Sequence, residues 1–231
     1  MSRRIPQDFC DFQSFLAGYN LSSYCSDSKQ VDSCKTMHRK LLGLLIFDAE
    51  FELQRVHQSA SVFLKEMASD LLLSLFCVVQ GMYKPARMQI RCSIENFIKA
   101  LVLINNQAII QEKSMYAVFD AAKADSHFST AYSTRCLNSL HSDYTILCGT
   151  VHSAPSAMQP TSALAVLPRY DEELQNEVSS IFIRTAESFL GLLYLNYPAV
   201  VEKMHPENRQ DYLECMTKNT KGMVVSTLFS D

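Results

Sequence analysis

Arg87, Arg91 and Glu95 follow one another at four-residue steps in Tyr83-Lys84-Pro85-Ala86-Arg87-Met88-Gln89-Ile90-Arg91-Cys92-Ser93-Ile94-Glu95. A helix opening near Pro85 would carry all three along one side, because residues four apart are neighbours on a helix surface. At about 100° per residue, Gln89, Ser93, Asn96 and Ala100 form the expected solvent face, and Ile90, Ile94, Phe97, Ile98 and Leu101 the buried arc. Arg91 stands about 170° from the first group and about 70° from the second, so it points at the core margin. An inward guanidinium needs a counter-charge, since burying it unpaired is costly. Glu95, one turn on, is the first candidate, and Asp70, isolated in the preceding apolar stretch, is the second. Two readings stay open: a structural ion-pair network, or a polar pocket in which Arg91 and Glu95 are catalytic and Arg87 and Tyr144 bind a ligand.

A second segment, Asp143-Tyr144-Thr145-Ile146-Leu147-Cys148-Gly149-Thr150-Val151-His152, places Tyr144, Cys148 and His152 on a common helical face. His152 stands where that helix meets a proline-rich stretch, a position that favours a protonated ring and also suits a general acid or base. Cys34 with His38, and Cys148 with His152, have the spacing of two metal ligands on one helix. Neither pair has the second half that a four-ligand site requires, so no metal is expected. The eight cysteines have irregular spacings and no Cys-x-x-Cys pair, and several lie in apolar stretches, as reduced thiols packed as small hydrophobes do. Glycine-rich phosphate loops, Gly-x-Ser-x-Gly elbows and His-Glu-x-x-His helices are absent from the sequence.

Gly81 and Tyr83, then Ala86, Arg87, Arg91 and Glu95 on one helix, are followed about fifty residues later by Tyr144-x-x-Leu147-small-x-x-x-His152. This pattern, over about residues 50–200, resembles bacterial helical domains similar to the HEPN-like and abortive-infection class. The resemblance implies an all-α, HEPN-like antiparallel bundle, often dimeric, in a phage-defence or toxin–antitoxin-type system. Active members of that class cleave RNA without a metal or other cofactor, through an Arg followed by four to six residues and a His. Arg135 and His141 have that spacing, although Cys136 stands where the motif carries a polar residue. The implied chemistry is attack of a 2′-OH on phosphate, with Arg91 and Glu95 as the polar centre and His152, or the Arg135/His141 pair, as acid and base. Partners would be a second copy or another protein of the same system, and RNA if the chain is catalytic. The competing reading is a non-catalytic interaction module or structural subunit of a defence complex.

The elements that must position these residues are helices. Across 231 residues, 48% are hydrophobic and 19% charged, enough apolar material for one substantial core, while six glycines and seven prolines are too few to punctuate many strands. The expected organisation is a single domain of six to eight helices. Residues 1–30 form an N-terminal helix and loop, 31–152 the core helices, 153–168 a proline-rich loop and 169–218 the C-terminal helices. Within the core, helical patterns run over 31–81, closed by Gly81, then from Pro85 to Asn105 or Asn106, over 114–124 and over 126–151. Asp171, Glu172 and Glu173 mark the start of a helix that must end before Pro198, and the tail from Gly222 is expected to be extended or disordered. The net charge of −3 and the lack of basic runs argue against non-specific duplex binding. The N-terminal residues lack the apolar stretch of a signal peptide and the most hydrophobic stretch, 71–79, is far short of a membrane span, so a cytoplasmic location without membrane association is expected.

Overall fold

The computed structural model describes residues 4–17, 28–151 and 170–229. Among these the chain forms ten α-helices and no strand: α1 (Arg4–Ala17), α2 (Ser28–Leu53), α3 (Gln58–Val79), α4 (Tyr83–Val102), α5 (Met115–Ala124), α6 (Ala131–Val151), α7 (Glu172–Asn196), α8 (Pro198–Lys203), α9 (Pro206–Cys215) and α10 (Lys218–Leu228). The all-α expectation holds, but the helices outnumber the six to eight expected. Caps and prolines divide the C-terminal part more finely than its hydrophobic spacing reveals. Pro198 and Pro206 open α8 and α9, where a missing N–H costs nothing. Thr217 caps α10, its hydroxyl accepting from the Thr220 N–H at 3.2 Å, so the tail beyond Gly222 is helical through Leu228.

Three further boundaries differ from expectation. The pattern over 31–81 is two helices, because Arg55 takes a left-handed φ of 54° and His57 caps α3, its Nδ1 accepting from the Ala60 N–H at 3.1 Å. Helix α4 begins at Tyr83, with Pro85 inside its first turn, and ends at Val102 rather than at the asparagines; Asn106 instead caps a 3₁₀ turn, Gln107–Gln111. The segment from Ser126 starts as a separate 3₁₀ turn, Ser126–Phe128, and α6 opens only after Thr130, whose side chain and that of Ser133 in the first turn each accept the other's backbone N–H at 3.1 and 3.0 Å. Gly81, in contrast, ends α3 in the way its type demands. With φ of 69° it lets its own N–H and that of Met82 reach the carbonyls of Val78 and Cys77. His152 and residues 153–168 lie outside the described residues, as does most of the expected N-terminal loop.

The tight turn at Gly81 folds α3 and α4 into an antiparallel hairpin, and α7 packs across it. Phe182, Ala186, Phe189, Leu190 and Leu193 of α7 are fully buried, and Phe189 stacks on Phe97 of α4 at 4.0 Å between ring centroids. Helix α7 is long and apolar enough to cross a membrane, but 67% of that stretch is buried inside the protein. Two glycines set close helix approaches. A Cβ on Gly43 of α2 would meet Cys215 Cβ of α9 at 2.7 Å, and one on Gly191 of α7 would meet the Tyr132 hydroxyl of α6 at 1.8 Å.

Candidate functional site

Arg91 and Glu95 lie on α4 where α6 passes over it, their side chains 22% and 27% exposed. The Arg91 Nη2 donates to Glu95 Oε1 at 2.9 Å and to the Tyr144 hydroxyl at 2.7 Å, and that hydroxyl donates onward to Glu95 Oε1 at 2.9 Å. Arg91 Nε reaches Cys148 Sγ at 3.4 Å, and the guanidinium stands over the Tyr144 ring at 5.0 Å. Burial pushes the Tyr144 phenol up, and the Glu95 carboxylate reinforces it, so the ring stays neutral. The result is a triangle of one cation, one anion and one hydroxyl, each bonded to the other two.

Asp70 does not join that triangle. It accepts from Asn96 Nδ2 at 2.8 Å instead, and burial pushes its carboxyl up to about 6, partly offset by Asn96 and reinforced by Glu66 and Glu95. The solvent face expected on α4 is also narrower than the wheel suggests. Ser93 and Ala100 are buried, because α3, α6 and α7 wrap most of the helix circumference; Ser93 satisfies its hydroxyl on the Ile90 carbonyl. Arg87, grouped with Arg91 by spacing, turns to α7 and pairs with Glu177 at 2.5 Å. It helps to fix the start of that helix, where the Asp171 N–H also donates to the Tyr83 hydroxyl.

Arg135 and His141 face different neighbours across α6. Arg135 lies over the Tyr132 ring and donates to Met223 Sδ of α10, whereas His141 packs its ring on Phe119 of α5 at 4.4 Å between centroids. Six residues on a helix correspond to a rotation of about 240°, so the two cannot meet within one chain. Of the metal-spaced pairs, His38 bonds Asp8 at 2.8 Å and Cys148 receives Arg91. Among the described residues, no three His, Cys, Asp or Glu side chains gather as a metal site requires.

Three polar groupings were not singled out from the sequence. Lys40 is 1% exposed on α2 and donates to Glu187 of α7 and to the Cys215 carbonyl. Burial pulls its amine down, opposed by Glu187. Asp143 of α6, 3% exposed, is gripped by both Nε and Nη2 of Arg184. Asp125 accepts from Asn105 and lies 2.6 Å from His127 Nδ1, while also capping the 3₁₀ turn that carries His127. The first of these was readable. Lys40 sits between Met37, Leu44 and Phe47 on the three- and four-residue spacing of the α2 core face. Its partner, contributed from a helix 147 residues on, was not.

No family model, curated protein or solved structure matches this chain.

Proposed function

We propose that this chain is a HEPN-like helical interaction module of a bacterial defence or toxin–antitoxin-type system, acting through a second copy of itself and not as a ribonuclease. The observation that carries this reading is the outward face of α3. Val62, Leu72 and Leu73 are 58%, 46% and 47% exposed there, with Lys65 and Ser69 on the same arc, Glu66 at its edge, and all three polar residues between Val62 and the leucines along the helix. Three large apolar side chains exposed on one helix face, set among charged ones, fit a protein interface. On a helix of this length such a face suits pairing with its own copy around a two-fold axis.

The polar groups lend support by elimination. The Arg91 triangle is spent on itself, and Arg135 and His141 point away from one another. The test has two arms. Light scattering on the purified chain is expected to give twice the 26.1 kDa chain mass, with Leu73→Asp returning it to one chain. Incubation with structured and unstructured RNA is expected to leave the RNA intact. A monomer, or RNA cleavage that His141→Ala or Arg135→Ala abolishes, would overturn the proposal.

A further inference from the structure

Away from α3, the surface opens where α6, α7 and α10 meet. A cleft of about 490 Å³ lies there, walled by Tyr132, Cys136, Ile183 and Met223, with Arg135 at its mouth. The wall depends on Gly191, whose missing side chain lets the Tyr132 hydroxyl reach the α7 backbone while its ring faces the opening. A neighbouring recess of about 510 Å³ continues past Tyr132, Arg135 and Met223 along α10, so the Arg135 guanidinium stands between two hollows.

The other charges that line the cleft are neutralised in place. Glu187, at its floor, gives one oxygen to Lys40 and the other to the N–H and hydroxyl of Thr217, both at 2.8 Å. Arg184 is held by Asp143 through two nitrogens. Arg135 has no carboxylate at ion-pair distance among the described residues. Its contacts are the Tyr132 ring, 5.5 Å away, and the Met223 thioether, a weak acceptor that takes up one of its five N–H donors. One residual positive charge therefore stands at the entrance to an apolar hollow.

We propose that this cleft binds an organic monocarboxylate with an apolar body. The carboxylate would lie across the Arg135 fork, which matches its two oxygens, and the body would lie against Tyr132, Ile183 and Met223. The charge count selects this class. A neutral molecule forfeits the guanidinium, and a dianion brings one charge more than the cleft itself can balance, Lys218 standing in the neighbouring recess. The inference does not depend on the α3 interface, which lies on other helices.

The experiment uses the full chain and 2-naphthoate as the probe, followed by amide and methionine-methyl NMR shifts. Saturable shifts centred on Met223 and Ile183 are expected. Arg135→Gln should weaken binding at least about tenfold while lowering the thermal midpoint by no more than about 4 °C, the worth of an exposed cation–π contact. 2-Naphthamide, of the same shape without the charge, should bind at least about tenfold more weakly than the acid. Ser180→Phe, which fills the cleft from the α7 wall, should abolish the shifts. Equal binding of acid and amide, or binding indifferent to both substitutions, would overturn the proposal. So would Arg135-dependent binding of a short RNA by a chain that ignores naphthoate, which would assign the arginine to nucleic acid.

Discussion

One oxygen of Glu95 receives both the Arg91 guanidinium and the Tyr144 hydroxyl, so removing this carboxylate strands two donors. Glu95→Ala is expected to cost about 1–3 kcal/mol in urea unfolding, below a fully buried pair because water reaches a quarter of each side chain. Tyr144→Phe, which leaves the ion pair intact, should cost about 1 kcal/mol. An unchanged midpoint for Glu95→Ala would show the triangle to be a solvated stripe. Asp70 makes a pH-dependent prediction. Its carboxyl titrates near 6 in the folded chain, above its unfolded value of 3.8, so the folded state holds a proton that the unfolded state has released. Stability from this group is therefore present below about pH 4, falls as pH rises to about 6, and is flat beyond. Because Asp70 is partly exposed, the loss is about 1 kcal/mol after solvent screening. Asp70→Asn should remove that slope and raise the midpoint at pH 7; a slope that survives the substitution belongs to another group. The inward direction of Arg91 and its Glu95 partner were legible from helical arithmetic. The third member of the triangle was not, because contact between Tyr144 and α4 depends on how two helices pack.

At the scale of elements, two glycines in helix interiors predict opposite outcomes. Gly191 of α7 has the Tyr132 hydroxyl where its Cβ would stand, and Gly222 of α10 has nothing within 4 Å. Gly191→Ala must displace the tyrosine or push α6 away, at a cost of about 3 kcal/mol or more. Gly222→Ala adds helix propensity at a solvent-facing site and should stabilise by about 0.5–1 kcal/mol. Thermal melts of the two variants would separate them, and a destabilised Gly222→Ala would contradict the placement of α10. The same elements show what sequence signals can carry. Gly81 and Asp171 were readable as helix ends because a left-handed glycine and a run of acids have local causes. The break at Arg55 was not, since a non-glycine residue at positive φ leaves no compositional mark and is held by the packing on either side. Helix α10 was missed for a related reason. Its apolar residues are few and mostly consecutive, Met223, Val224 and Val225, so no helical period stands out. The helix is recruited by Thr217 and by the surface that α6 and α7 offer it.

In the whole molecule, α2, α7 and the α9–α10 junction converge on a single amine. Lys40 is sealed from solvent, held by Glu187 and by the carbonyl of Cys215, and Glu187 in turn holds Thr217 at the head of α10. The all-helical class and the position of α7 as an apolar core helix were legible in composition and periodicity. This convergence was not, because it joins residues from opposite ends of the chain. Lys40→Met should cost about 3 kcal/mol or more, since it leaves Glu187 without its cation. The burial of Lys40 also makes the wild-type chain its own reporter. An amine-acylating reagent can reach this nitrogen only while the helices around it are apart, whereas the exposed Lys84 is always open to attack. The ratio of the two acylation rates, read peptide by peptide by mass spectrometry, therefore measures how often the core parts, with no added label or denaturant. Lys40 is expected to react at least about a thousandfold more slowly than Lys84, as an opening of about 4 kcal/mol or more dictates. Equal rates would mean that the junction breathes freely.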